Sequence, residues 1–188
     1  MSDTILFAIG MAVFFGAHLF AAFRPRDLPE RMGRNRYRGL FSLVSIAGLV
    51  LLIVGYAGVR NLWPVWDPPL WTRHIPMLLM IPAMILFVAA ELPTGRIKRT
   101  AKHPMLAGVK LWAAGHLVAN GDLASIVLFG AFLAYAVLDR IVVKRRDAPP
   151  PAAVSTRSDV IAVVAGLALY LLIVFWAHAA LIGVPVIG

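Results

Sequence analysis

Apolar residues in this chain come in long unbroken blocks, and the charged residues are gathered between them. A run of roughly 20 apolar residues is what a helix needs to cross the hydrocarbon core of a bilayer. Cutting the sequence at its charge clusters predicts six such helices, over Thr4–Ala22, Gly39–Val59, His74–Leu92, Pro104–Ala119, Leu123–Val143 and Asp159–Ile182. The fourth is short. Pro104 has no backbone N–H and favours a first-turn position, so this span is expected to tilt, to break near His103-Pro104, or to be partly re-entrant. The expected fold is all-α: a polytopic membrane protein, a bundle of six transmembrane helices forming one integral membrane domain over residues 1–188. A flexible Pro-rich loop at about 145–158 is expected before the last helix. No internal repeat is visible, which argues against an inverted-repeat transporter.

Composition agrees with the pattern. Hydrophobic residues make up 61% and charged residues 14% of 188, and the mean hydropathy is +0.83; a soluble domain averages about a quarter charged. The 18 Lys and Arg outnumber the 9 Asp and Glu. They sit between spans rather than on a soluble basic face, so nucleic acid is not the expected partner; membrane lipid is. The first loop holds Arg24, Arg26, Arg31, Arg34, Arg36 and Arg38, the third Arg96, Lys98, Arg99 and Lys102, the fifth Arg140, Lys144, Arg145, Arg146 and Arg157. The second loop has only Arg60 and Arg73, and the fourth none. By the positive-inside rule the odd loops are cytoplasmic, which predicts a bacterial inner membrane protein with both termini in the periplasm. Met1–Phe23 lacks a basic n-region and a small-residue cleavage site, and is expected to be the first span, not a cleaved signal. With no cysteine, disulfides and thiolate ligands are excluded.

Ionisable residues inside spans are costly and are candidates for function. His18 shares a face of the first span with Gly10 and Phe14, roughly 9 Å of helical rise from Arg24. In "KHPMLAGVKLWAAGHLVANGD" (102–122), His116 shares a face with Gly108 and Trp112, an aromatic ring beside a glycine gap, while His103 shares another with Leu106 and Lys110. The bland reading of Lys110 is favoured: its ammonium snorkels to the headgroups or pairs with Glu91. His74 and His178, near outer span ends, are read as bystanders. Gly48 and Gly55, and Gly130 with Ala134, are expected packing positions. Two buried histidines on different helices are also what a haem between apolar helices requires.

Several strings carry a resemblance: "GAHLFAAFRP" (16–25), "YRGLFSLVSIAGLVLLIVGY" (37–56), "KHPMLAGVKLWAAGHLVANGDLASIVLFG" (102–130) and "LDRIVVKRR" (138–146). They resemble the NnrU family of bacterial membrane proteins, over nearly the whole chain up to the loop. The family is linked by name and gene neighbourhood to nitric oxide metabolism and denitrification, and is similar to 15-cis-zeta-carotene isomerase, a membrane haem b protein that isomerises a central cis double bond of a polyene. The resemblance implies haem b, with His18 and His116 as axial ligands and His103 in the basic-His-Pro motif. It also implies an isomerase or redox activity on an apolar, polyene-like substrate. Ala113 stands where the isomerase has a cysteine, so any cysteine-dependent ligand exchange does not transfer.

On such a haem, Trp112 and Phe14 are expected to pack on the ring, and the propionates to be drawn to Arg24 and to Lys102 or Lys110. His116 lies roughly 20 Å of helical rise from the cytoplasmic boundary, so for straight helices His18 with His103 is the competing pair. "KHPMLAG" also resembles the motif of membrane methyltransferases that bind S-adenosylmethionine, although their paired-glutamate signature is missing here. A non-enzymatic haem carrier or sensor is the third reading.

Overall fold

The computed structural model describes residues 2–144 and 153–187. Among these residues the chain is helical, with one isolated bridge between Pro64 and Asp122 and no strand. In order come α1 (Asp3–Phe23), α2 (Leu28–Met32), α3 (Arg34–Val59), a 3₁₀ turn (Leu70–Arg73), α4 (His74–Glu91), α5 (Arg96–Ala101), α6 (Pro104–Ala119), α7 (Leu123–Lys144), α8 (Thr156–Leu172), a π-helical turn (Ile173–Ala177) and α9 (His178–Ile182). Each of the first five expected spans coincides with a helix, and the last with α8, the π-helical turn and α9 together. The largest shift is at α3, which starts at Arg34 rather than Gly39 because the polar flank RNRYR continues the helix beyond the apolar run.

Among the described residues five helical stretches are long and apolar enough to cross a membrane: Asp3–Phe23, Arg34–Val59, Leu70–Glu91, Leu123–Val142 and Thr156–Ile182. The sixth expected span, α6, has only 16 residues, about 24 Å at helical rise against a core of about 30 Å. The break foreseen near Pro104 is present, since α5 ends at Ala101 and α6 starts at Pro104. Large apolar side chains face outward, as on Leu43 (66% exposed), Phe175 (71%) and Leu181 (76%). In water each would be unfavourable; facing lipid they are not. The chain is an all-α polytopic membrane protein.

The helices group into two compact units, each built around close helix contacts. In Met1–Val65 with Asp122–Leu128, α1 and α3 run antiparallel through glycines. A Cβ on Gly10 would lie 2.6 Å from the Leu52 Cα, one on Gly48 2.7 Å from the Phe14 N, and one on Gly55 2.6 Å from the Phe7 Cα. Only a missing side chain lets the backbones approach so far, and in lipid such close packing supplies much of the helix association. Asp122, 6% exposed, caps α7: its Oδ1 accepts the Ser125 N–H at 2.9 Å and its Oδ2 the Ser125 hydroxyl at 2.5 Å. The Tyr56 hydroxyl in turn lies 2.7 Å from Ser125 Oγ. Because the Ser125 proton goes to the carboxylate, Tyr56 is the donor in that bond.

In Trp66–Gly121 with Phe129–Gly188, α4 carries α6 on one side and α8 on another. Gly108 and Gly115 of α6 meet Phe87 and Pro76, and a Cβ on Gly166 of α8 would lie 2.6 Å from the Ile85 Cα. Gly130 differs from the expectation. A Cβ there would meet nothing within 4 Å among the described residues, so none of them packs closely on Gly130. The short α5 is pinned at both faces: Asp159 accepts the N–H groups of Arg96 and Ile97, and the Lys98 ammonium donates to the carbonyls of Ala90 and Leu92, both at 2.8 Å. Of the expected loop, residues 145–152 lie outside the described residues; 153–155 precede α8, and 156–158 already belong to it, with Ser155 Oγ accepting the Ser158 N–H at 3.2 Å.

Candidate functional site

His18 sits on the α1 face that packs against α3, the face shared with Gly10 and Phe14. Its Nδ1 is 2.8 Å from the Phe14 carbonyl oxygen. A carbonyl only accepts, so Nδ1 carries the proton and the lone pair is on Nε2. The Phe14 ring stacks on the imidazole at 4.1 Å and 30°, and Phe41 of α3 meets it edge-on at 5.2 Å. The ring series continues from Phe41 to Tyr37, 6.4 Å apart at 13°, and ends at the Arg24 guanidinium 4.8 Å above the Tyr37 ring. That guanidinium also donates to the Ala21 carbonyl. Arg24 Nε, the Tyr37 hydroxyl and Ser45 Oγ are buried without a hydrogen-bond partner among the described residues.

His116 repeats the arrangement in the last turn of α6. Its Nδ1 is 2.8 Å from the Trp112 carbonyl oxygen, which sets the same tautomer. Phe129 lies 4.7 Å away at 30°, Trp112 5.3 Å away, and Phe132 packs edge-on against Trp112 at 5.0 Å. Asn120 closes the helix end, its side-chain amide donating to the His116 carbonyl at 2.8 Å. The glycine gap expected beside His116 is filled, because the Phe87 ring lies over Gly108. Ala113 is wholly buried.

His103 lies outside the helices, where the chain turns from α5 into α6. Lys102 has φ +60 and ψ −47, and the His103 N–H bonds to the Ala101 carbonyl at 2.6 Å. This is a γ-turn of the rarer, strained hand. Burial, and then the Arg140 charge, hold the His103 imidazole below its ordinary pKa, with Asp139 opposing and Lys102 and Lys110 adding to the depression. Lys110 and Glu91 form no ion pair among the described residues. His74 is exposed, and His178 uses its Nδ1 to hold the Val184 carbonyl at 2.6 Å.

Sequence reasoning missed three polar contacts: the Tyr56–Ser125–Asp122 chain, the Asp159 cap on α5 and the Lys98 cap on α4. The Asp-x-x-Ser spacing before an apolar run was a readable start signal for α7. Nothing local announced Tyr56, which is 69 residues from Ser125.

Each imidazole is held by its Nδ1–H with its faces against aromatic rings, and ligation uses the ring edge at Nε2, so both residues have the donor chemistry of an axial ligand. Among the described residues no group of three or more His, Asp or Glu is gathered to hold a metal ion. No curated protein and no solved structure matches the chain. The NnrU protein family model matches residues 6–186, nearly the whole chain, and the protein belongs to that family.

Proposed function

We propose that this NnrU-family membrane protein is a haem b protein with His18 and His116 as axial ligands. On this reading it works as an isomerase or redox protein on an apolar, polyene-like substrate or in nitric oxide and denitrification metabolism. It sits in the bacterial cell membrane with the Arg-rich loops toward the cytoplasm. The observation that carries this is the matched setting of the two imidazoles. Each donates Nδ1–H to the carbonyl four residues back, at 2.8 Å, which is the backbone support that metal-bound histidines usually have. His178 makes a similar bond at an exposed position, so the bond alone does not identify a ligand. The aromatic surroundings of His18 and His116 separate them from it. His103 has no such support, which favours His116 over it.

Arg24 fits a propionate, because its buried Nε and the Tyr37 hydroxyl are donors without a partner among the described residues and an anionic oxygen would satisfy them. A haem held by His18 and His116 would supply one-electron chemistry. Phe14, Trp112 and Phe129 keep the imidazole planes from rotating and exclude water around them. Protein purified after expression with supplied haem should show a sharp Soret band and resolved bands on reduction, lost in both His18→Ala and His116→Ala and retained in His74→Ala. A colourless, folded preparation would refute the reading. Loss in His103→Ala with retention in His116→Ala would replace one ligand by the other.

A further inference from the structure

A cleft of about 410 Å³ opens where α5 crosses the end of α4, lined by Leu86, Arg96, Ile97, Thr100 and Ala101. Leu86, Ile97 and Ala101 are its apolar residues, and Arg96 and Thr100 are the polar residues along it. More charge stands close by in the sequence of the same short segment. Arg99 and Lys102 are exposed, and neither arginine has a carboxylate partner among the described residues. Lys98 is occupied on the α4 carbonyls.

An apolar cleft bordered by Arg96, with Arg99 and Lys102 in the same short segment, matches an amphiphile, with hydrocarbon below and an anionic oxygen at the rim. We infer that this cleft binds an anionic phospholipid of the leaflet facing the basic loops, one acyl chain lying on Leu86, Ile97 and Ala101 and the phosphate meeting Arg96, with Arg99 and Lys102 adding to the positive field. Charge complementarity selects the occupant. A zwitterionic lipid brings no net charge to the three cations, and a free anion leaves the apolar walls uncovered.

The cleft is formed in advance. Asp159 holds the first two N–H groups of α5 at 2.8 and 3.0 Å, Lys98 ties it to the end of α4, and the Ser155 N–H bonds to the Thr94 carbonyl at 2.9 Å. A ligand that meets an already ordered site does not have to order it, which raises affinity for given contacts. The inference is independent of the haem reading, since colourless protein would still bind lipid.

The test is native mass spectrometry of the full-length protein in detergent, titrated with dioleoyl phosphatidylglycerol, dioleoyl phosphatidylcholine or inorganic phosphate. Phosphatidylglycerol should be retained over phosphatidylcholine, and phosphate should not displace it. Arg96→Gln, at an exposed position that the fold tolerates, should weaken phosphatidylglycerol binding about fivefold, the scale expected for one basic residue at an anionic surface. Arg36→Gln, which removes the same charge from the exposed start of α3, should leave it unchanged. Ala101→Phe, which fills the cleft without altering charge, should weaken it as well; if that variant does not fold, Ile97→Ser replaces it. Equal retention of the two lipids, equal losses in Arg96→Gln and Arg36→Gln, displacement by phosphate, or no loss when the cleft is filled or made polar would each overturn the inference.

Discussion

The Asp159 carboxylate, at the start of α8, accepts the backbone N–H of Arg96, the first residue of α5, at 2.8 Å, and that of Ile97 at 3.0 Å. A helix of six residues cannot satisfy its own first N–H groups, and here a residue 63 positions along the chain does so. Capping interactions of this kind contribute about 1 kcal/mol. Asp159→Ala should therefore loosen α5 locally. Amide hydrogen exchange at residues 96–101 should quicken by about fivefold or more, with the cores of α1 and α3 unchanged; uniform protection across α5 in the variant would contradict the cap.

Two glycines predict opposite outcomes for the same substitution. At Gly10 a methyl group would run into the Leu52 backbone, at 2.6 Å from its Cα, and the helices must part, which costs about 1–3 kcal/mol. At Gly130 a methyl group meets nothing within 4 Å among the described residues, so Gly130→Ala should be neutral or stabilising by up to about 1 kcal/mol through helix propensity. Thermal unfolding in detergent should lower the midpoint for Gly10→Ala and leave or raise it for Gly130→Ala.

Lys102 holds φ +60 in the γ-turn before His103, a conformation that strains any residue with a Cβ. Lys102→Gly should relieve that strain by about 1 kcal/mol, offset in part by the larger entropy of glycine in the unfolded chain. A net rise in unfolding midpoint is expected; a fall would mean that the Lys102 side chain contributes more than the turn costs.

The depressed His103 pKa makes stability depend on pH with a definite sign. The unfolded chain takes up the proton near the ordinary value of about 6.5 and the folded protein only at lower pH. Between those two values the unfolded state binds more protons, so stability is full above about pH 6.5 and is lost as pH falls through the folded pKa. In His103→Gln this component of the decline between pH 7 and 5 should vanish. An unchanged profile would show that other groups cause it.

The spans were readable because membrane insertion depends on a local quantity, the apolar content of a run long enough to cross hydrocarbon. The same holds for the break at His103-Pro104, where a proline lacks its N–H. The α3 start was misplaced by five residues because helix formation continues through Arg34–Arg38 after the apolar signal has ended. His18 and His116 stood out by type and position alone: an imidazole in an apolar run is expensive wherever the neighbours lie.

What surrounds those imidazoles is a property of the packed chain. Gly108 offered a gap in the sequence, and Phe87 of another helix fills it. Gly130, like Gly48, is a small residue in an apolar span, yet no described residue has its backbone against it. Tyr56 joined Ser125, and Asp159 joined α5, across separations of 69 and 63 residues. Which segments leave water and which polar groups travel with them is legible residue by residue, because transfer into lipid is close to additive along the chain. Tertiary structure alone decided which glycine is a contact, which carboxylate is a cap and which ring covers a histidine, because those depend on short-range packing between residues distant in sequence.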